Sequence, residues 1–415
     1  MKIEYQKNIG YGYSYSFFAF LGITSLWVIY LQQRGLSLVE IGLCESIFHV
    51  ASFLFEVPSG LLADRFSYKS VLLSSRLMAI MSAILMLVSH NFWMFALSFV
   101  ISAFSYNLQS GTLEALLYDS LKLEQTSGNY PRVISKVNMI IEFTDTFGVV
   151  LAGLFVHWHF ALVYVIDILA SCAALTSVLL LKEPIKLTGI AENDPTNQPQ
   201  PEKTSEKKLT LKKLIMITWQ SLKKQPLLRN LMFFQALFDG FCTTYYFYFQ
   251  TLLDSQNFSG WQISLLLVIS AGLDILAMQE APKLQSKVSK TKLIIVLSSC
   301  LIGMLLLGWL DKIGILLFVF LFSNALSSLS EPIFSSYYND LIDSKSRATL
   351  LSVANLLFSL IMVGIFPLTG WLIEKLDFAA AFGIFGVILL LALGIILRYL
   401  VHRNSLFQIC RFCGI

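Results

Sequence analysis

The sequence predicts an all-α integral membrane protein with twelve transmembrane helices in two pseudo-symmetric bundles of six. Three observations predict it. Hydrophobic residues make up 56% of the 415 positions and charged residues 13%, against roughly 25% charged in a soluble chain, so there are too few charges to cover a water-exposed surface. The apolar residues gather into runs of about 20, the length at which a helix crosses about 30 Å of hydrocarbon. The first half of the chain also recurs, in register, in the second.

In lipid every backbone amide must be satisfied within the protein, which leaves helices or closed barrels. The runs are too long for barrel strands of about 10 residues and lack their two-residue alternation. Twelve spans are read, at 10–32, 39–63, 70–90, 92–118, 133–157, 159–181, 227–253, 260–282, 291–311, 313–341, 346–374 and 377–401. Span 1 is full-length and is followed at once by span 2, so it is a helix rather than a cleavable leader. Spans 2 to 6 follow with short connections. The long polar segment 182–226 then separates them from spans 7 to 12. Its part from Ala191 to Lys208 is rich in Pro, Glu, Asn, Thr and Lys, a composition that buries little. LTLKKLIMITWQSLKK, 209–224, is amphipathic and basic and reads as a helix lying on the membrane surface. The domains are therefore 1–181, the linker 182–226, 227–401, and a tail 402–415.

Orientation follows from Lys and Arg. With the N-terminus inside, all of the 30 basic residues except Arg34, Lys312 and Lys375 fall in or beside cytoplasmic connections, as the positive-inside rule requires. Both termini are then cytoplasmic, and the net charge of +4 is an orientation signal with no nucleic-acid partner implied. The six cysteines are scattered, which argues against a disulfide framework; Cys410 and Cys413 in the tail form an isolated CxxC.

The repeat keeps one register across loops. An offset of 217 maps Asn107 to Asn324, Glu114 to Glu331, Asn138 to Asn355 and Gly153 to Gly370. An offset of 222 maps Ser37 to Ser259 and Arg65 to Lys287. Two six-helix parallel repeats joined by a basic linker are the build of an alternating-access transporter.

The junction of spans 2 and 3 reads FEVPSGLLADRFSYKS. It resembles motif A of the major facilitator superfamily, with Gly60, Asp64, Arg65 and Lys69 matching and Ser67 and Tyr68 departing. The resemblance implies the twelve-helix fold of that family and a cytoplasmic latch formed by Gly60, Asp64, Arg65 and Lys69. In the second half Ser286 stands opposite Asp64, so a single latch is implied. Many members carry an Arg in span 4 four residues before a Gly; here it is Asn107 before Gly111.

The spans hold nine acids away from their ends: Glu45, Glu56, Glu114, Glu142, Asp145, Asp167, Asp239, Asp274 and Glu331. Arg76, near the start of span 3, is the basic residue well inside a span. A carboxylate at the bilayer centre costs roughly 2.5–3.5 kcal/mol on insertion scales, so such groups face the bundle interior or water. Glu114, Glu331, Glu142 and Asp145 are read as proton-coupling or substrate residues. Tyr13, Asn107, Tyr245, Asn324 and Tyr338 are read as cavity-lining, and Glu56, Asp167 and Asp274 as acids that hydrogen-bond neighbouring helices. His49 lies one turn from Glu45, placed either to relay protons or to pack.

No GxxxxGK[ST] motif occurs and no catalytic constellation is legible, so neither an enzyme nor a cofactor is expected. The expected function is proton-coupled efflux of amphiphilic or cationic small molecules by antiport, similar to bacterial drug and metabolite exporters. The working unit is expected to be a monomer in the plasma membrane, its partners being substrate, protons and the lipid bilayer. Two other readings stay open: proton-linked uptake of a small nutrient, and a transporter-like sensor that moves nothing.

Overall fold

The computed structural model describes residues 5–184, 225–341 and 347–412. Regular structure in these residues is helical throughout. Nine of the described helices are long and apolar enough to cross a membrane, and a bent pair at the start makes ten. Phe92–Gln109 and Pro226–Ser255 supply the other two spans; the second is studded with Tyr, Thr and Gln, which lowers its hydropathy. The linker segment 209–224 and the side chains of Cys410, Cys413 and Asp64 lie outside the described residues.

Sequence repetition reappears as repeated local structure. Ser37 begins span 2 with a capping box closed by Glu40, and Ser259 begins span 8 with the same box closed by Gln262. In each the serine hydroxyl and the long side chain satisfy amides that the first helical turn leaves orphaned.

Two spans depart from the continuous helices expected. Span 1 divides into Lys7–Ala19 and Trp27–Gln33, bent by 44° across a 3-10 turn at Gly22–Thr24. Span 5 accounts for the break: a Cβ on Gly22 would overlap the Asp145 backbone and carboxylate, and one on Gly148 would overlap the amides of Gly22 and Ile23. The carbonyls freed at the break find donors. Arg76 Nη1 donates to Ala19 O at 3.3 Å, and Thr144 Oγ1 to Phe20 O at 3.4 Å. Span 4 divides at Gly111, whose φ of +73° glycine adopts without steric cost. Its pieces are Phe92–Gln109 and Thr112–Leu123, so Asn107 and Glu114 lie on separate helices. Span 12 runs on as Phe378–Phe412, past residue 401 where the sequence reading ended it.

The N-terminal half meets the C-terminal half along spans 2 and 11, spans 5 and 8, and the second piece of span 1 with span 7. Call the face bearing the connections after spans 2, 4, 8 and 10 the basic face. Toward the opposite face the halves touch backbone to backbone. A Cβ on Gly260 would overlap the Gly153 carbonyl, and a Cβ on Gly370 the Leu38 carbonyl. These crossings are repeat-related, since the offsets carry 153 to 370 and 38 to 260. Hydroxyls reinforce both: Ser264 Oγ donates to Val149 O at 2.7 Å, and Tyr248 OH to Leu38 O and Phe366 O, each at 2.9 Å. Toward the basic face the same helices part. A Cβ on Gly60, which lines a hollow between spans 2 and 11, would meet nothing within 4 Å. The molecule is closed on one face and open on the basic one.

The C-terminal half is packed with aromatic rings, such as Phe241 stacked on Phe385 at 4.3 Å. Tyr245 belongs to this core. Its ring lies 4.5 Å from that of Phe382 and its hydroxyl donates to Leu316 O at 3.0 Å. Tyr338 is also buried, donating to Gln235 Oε1 at 2.6 Å. Both were expected to line the cavity. Instead, the aromatic area turns into the bundle, where it is buried most favourably, and each hydroxyl finds a local acceptor.

Candidate functional site

Parting of the halves leaves two hollows. One, of about 720 Å³, lies where span 11 faces spans 2 and 4; His49, Ser52, Glu56, Gly60, Asn107 and Asn355 line it. The other, of about 730 Å³, lies where span 5 faces spans 7, 8 and 10. Glu142, Asp145, Asp274 and Asn324 line this second hollow, with Tyr246 and Phe247 forming an aromatic side.

The repeat-related asparagines are divided between the hollows, and each is fixed by a serine on a neighbouring span. Asn107 accepts from Ser52 Oγ at 2.9 Å and donates to Ser52 O at 2.5 Å. Asn324 Nδ2 donates to Ser270 Oγ at 3.4 Å. Side-chain amides in this position present fixed dipoles to a ligand without a net charge.

Charge distinguishes the hollows. Among the described residues, the one between spans 5 and 8 is lined by three carboxylates and by no Lys or Arg. Asp274 was read as a helix-bonding acid, yet its Oδ1 is buried without a hydrogen-bond partner. The sequence held a signal for it: the offset of 222 carries Ser52, which lines the first hollow, onto Asp274. Glu142 and Asp145 lack such mates, because Ser359 and Met362 stand in their places. Ser359 lines the first hollow and Met362 is buried.

Glu114 and Glu331 line neither hollow. Glu114 sits in the first turn after the break at Gly111, with Oε2 buried and unpartnered and its charge felt by Tyr15 and Tyr130. Glu331 is exposed, and its charge reaches Asp239, which accepts from Ser327 Oγ at 2.7 Å. The ring of Tyr13 carries Lys136 Nζ 4.8 Å from its centroid, a cation–π pair at the N-terminal half's own surface.

Of the motif residues between spans 2 and 3, Gly60 lines the first hollow and Arg65 is exposed. Lys69 is held within the N-terminal half. Its Nζ donates to Leu179 O at 2.6 Å and Leu181 O at 3.0 Å. Glu183 accepts from the backbone amides of Tyr68 and Lys69, both at 2.8 Å, a carboxylate on the positive end of span 3.

The family model for the Major Facilitator Superfamily matches residues 9–367. An uncharacterized MFS-type transporter, YxaM of Bacillus subtilis (strain 168), is 24% identical over 357 residues, covering 82% of this chain and 83% of its own. Among solved structures, nucleoside transporter NupG superposes with a TM-score of 0.71 at 13% identity, covering 95% of this chain and 99% of its own. A bacterial homologue of iron transporter ferroportin in an inward-facing state gives 0.66 at 14%, covering 95% and 98%. At these identities the structural likeness speaks for the fold alone. With its twelve spans, its internal repeat and the family match along most of its length, the chain belongs to the major facilitator superfamily, a family of multi-pass membrane transporters.

Proposed function

We propose that the protein exports amphiphilic or cationic small molecules by alternating access, driven by inward proton flow. The observation that carries this reading is the hollow between spans 5 and 8, where Glu142, Asp145 and Asp274 face one space beside Tyr246 and Phe247, with no Lys or Arg in its lining among the described residues. Carboxylates in a low-dielectric site without counter-charges favour either protons or a cationic ligand. The aromatic side supplies apolar burial and cation–π attraction. Substrate and protons therefore compete for the same oxygens, which is the requirement for antiport.

The basic face is the cytoplasmic face of the plasma membrane, on the positive-inside argument, and the hollows open where substrate for efflux is loaded. Residues 1–181 and 227–401 are the two bodies that rock about the repeat-related crossings, joined by the linker 182–226. Glu142 and Asp145 carry the coupling protons. Glu114, half-buried with an unpartnered oxygen, and Glu331, whose charge reaches Asp239, exchange protons from the flanking helices.

The test is binding and transport of a lipophilic cation, tetraphenylphosphonium, by purified protein. Wild type should bind it and release protons as it does so. Asp145→Asn and Asp274→Asn should each weaken binding about tenfold, the scale of one lost charge contact near 1.4 kcal/mol. In vesicles, accumulation against an opposing proton gradient supports antiport. Accumulation along with protons would establish uptake instead, and no movement under any gradient would leave a non-transporting sensor.

A further inference from the structure

Span 2 meets span 11 residue by residue, and the contact ends at His49. Gly42 comes first, where a Cβ would overlap the Pro367 backbone. Ser46 Oγ then donates to Val363 O at 2.8 Å. One turn further toward the basic face, the His49 ring lies 6.1 Å from that of Phe358. Ser52, Glu56 and Gly60 continue the same helix face and line the hollow beside span 11. His49 lines it too, at the end where the helices begin to part. Its Nε2 lies 3.5 Å from Glu45 Oε1, and the two side chains are only 14% and 17% exposed.

The charged and titratable groups around this pair come from each neighbouring element. On span 2 itself Glu40 is bonded to Ser37, Cys44 is buried, and Glu56 is exposed in the hollow. Span 11 has no charged residue between 348 and 373, and span 4 has none between 92 and 109. Span 4 does place Tyr106 in the same hollow. Arg34 of span 1 donates to Tyr30 OH at 2.8 Å, and Arg76 of span 3 is bonded to Gln109. Neither guanidinium's field reaches Glu45 or His49. Tyr248 of span 7 feels the charge of Glu45, but its hydroxyl is already donated to Leu38 O and Phe366 O. Asp167 of span 6 lines a cavity that Glu45 also lines. Among the described residues, His49 is the group placed to neutralise Glu45.

We infer that Glu45 and His49 together form a proton-binding site that decides whether the basic face can close. With a single proton the pair is neutral overall, whether carboxylate or imidazole holds it. Without that proton the pair carries a net negative charge. Water in the open hollow solvates the charge, whereas span 11 can bring only Phe358 and its uncharged neighbours when it swings over His49. Covering an unpaired charge with such groups is costly. Closure therefore takes up a proton. The corresponding place beside span 8 lacks the pair, because the offset of 222 carries Glu45 and His49 to Leu267 and Ala271, which line the other hollow. The inference rests on the alternating-access reading, but it needs neither antiport nor the acids between spans 5 and 8.

The test is the distance between spin labels at the basic-face ends of spans 2 and 11, across a pH series. The sample is the purified full chain in lipid nanodiscs without substrate. In wild type, acid should favour the short distance, because the closed state binds one proton more. The closed-to-open ratio should change by up to about tenfold per pH unit. Glu45→Gln removes the negative charge at constant size, so it should raise the closed fraction in alkali and abolish closure by acid. Glu45→Asp should retain acid closure. His49→Phe keeps a ring against Phe358 and should need more acid to close, since the proton loses its second site. Glu56→Gln, Asp145→Asn and Asp274→Asn should keep the wild-type profile. The wild-type series needs no variant to fold, and distances independent of pH overturn the inference. So does acid closure that survives Glu45→Gln, or that disappears in Glu56→Gln or Asp145→Asn. Failure of wild type to bind tetraphenylphosphonium, with acid closure intact, counts against cation export alone and supports the proton site as a separate device.

Discussion

Asp145 packs against Gly22, so a carboxylate that lines the hollow between spans 5 and 8 also rests on the break in span 1. The broken helix and the acidic hollow are two sides of one contact. Gly148, one turn further on, meets the same turn through the amides of Gly22 and Ile23. A displacement of span 1 therefore moves the acid, and a charge change at the acid acts on the bend.

Gly22→Ala tests that contact. Its methyl group would overlap the Asp145 backbone, which cannot swing away as a flexible side chain can. The expected loss of stability is about 1–3 kcal/mol, read as a lower thermal midpoint. Gly10→Ala, where a Cβ meets nothing within 4 Å, should leave the midpoint within experimental error.

Tyr248→Phe should weaken closure of the face opposite the basic one. The hydroxyl joins span 7 to Leu38 O of the N-terminal half and to Phe366 O of span 11. A net hydrogen bond is worth about 1 kcal/mol, so the equilibrium should shift roughly fivefold toward opening on that face. Spin-label distances between spans 2 and 11 should report the shift.

His157 and Asp254 form a pair across the halves at the same face, His157 Nε2 lying 3.6 Å from Asp254 Oδ1. His157 Nε2 also lies 3.1 Å from Phe258 O, so the ring touches the C-terminal half twice. His157→Ala removes both contacts and should shift spin-label distances between spans 5 and 8 toward opening on that face. Unchanged distances would exclude the pair as a gate.

Asp64→Asn should lower transport while substrate binding survives, if the motif between spans 2 and 3 clamps the basic face in the alternate state. Cysteine labelling at the basic face should rise in the variant. Unchanged labelling counts against the clamp. Glu183→Gln is a useful contrast, since it weakens the cap on span 3 by about 1 kcal/mol and should lower stability with less effect on labelling.

What the sequence by itself determined was membrane class, the number and order of spans, and the repeat register. Lipid enforces these locally: each span must be long, apolar and internally bonded, and hence readable without knowing its neighbours. The same register, 153 to 370 and 38 to 260, identifies the crossings where the halves meet. Which of the nine acids share a hollow was decided by tertiary structure. Asp145 and Asp274 share a hollow because spans 5 and 8 part toward the basic face, while Glu114 turns into its own bundle after Gly111 breaks span 4. Tyr245 and Tyr338 turn into the core for a related reason. An aromatic or acidic stripe can be satisfied by a neighbouring helix or by a wet cavity, and helical spacing is the same for both. Only the placement of the partner helix separates them.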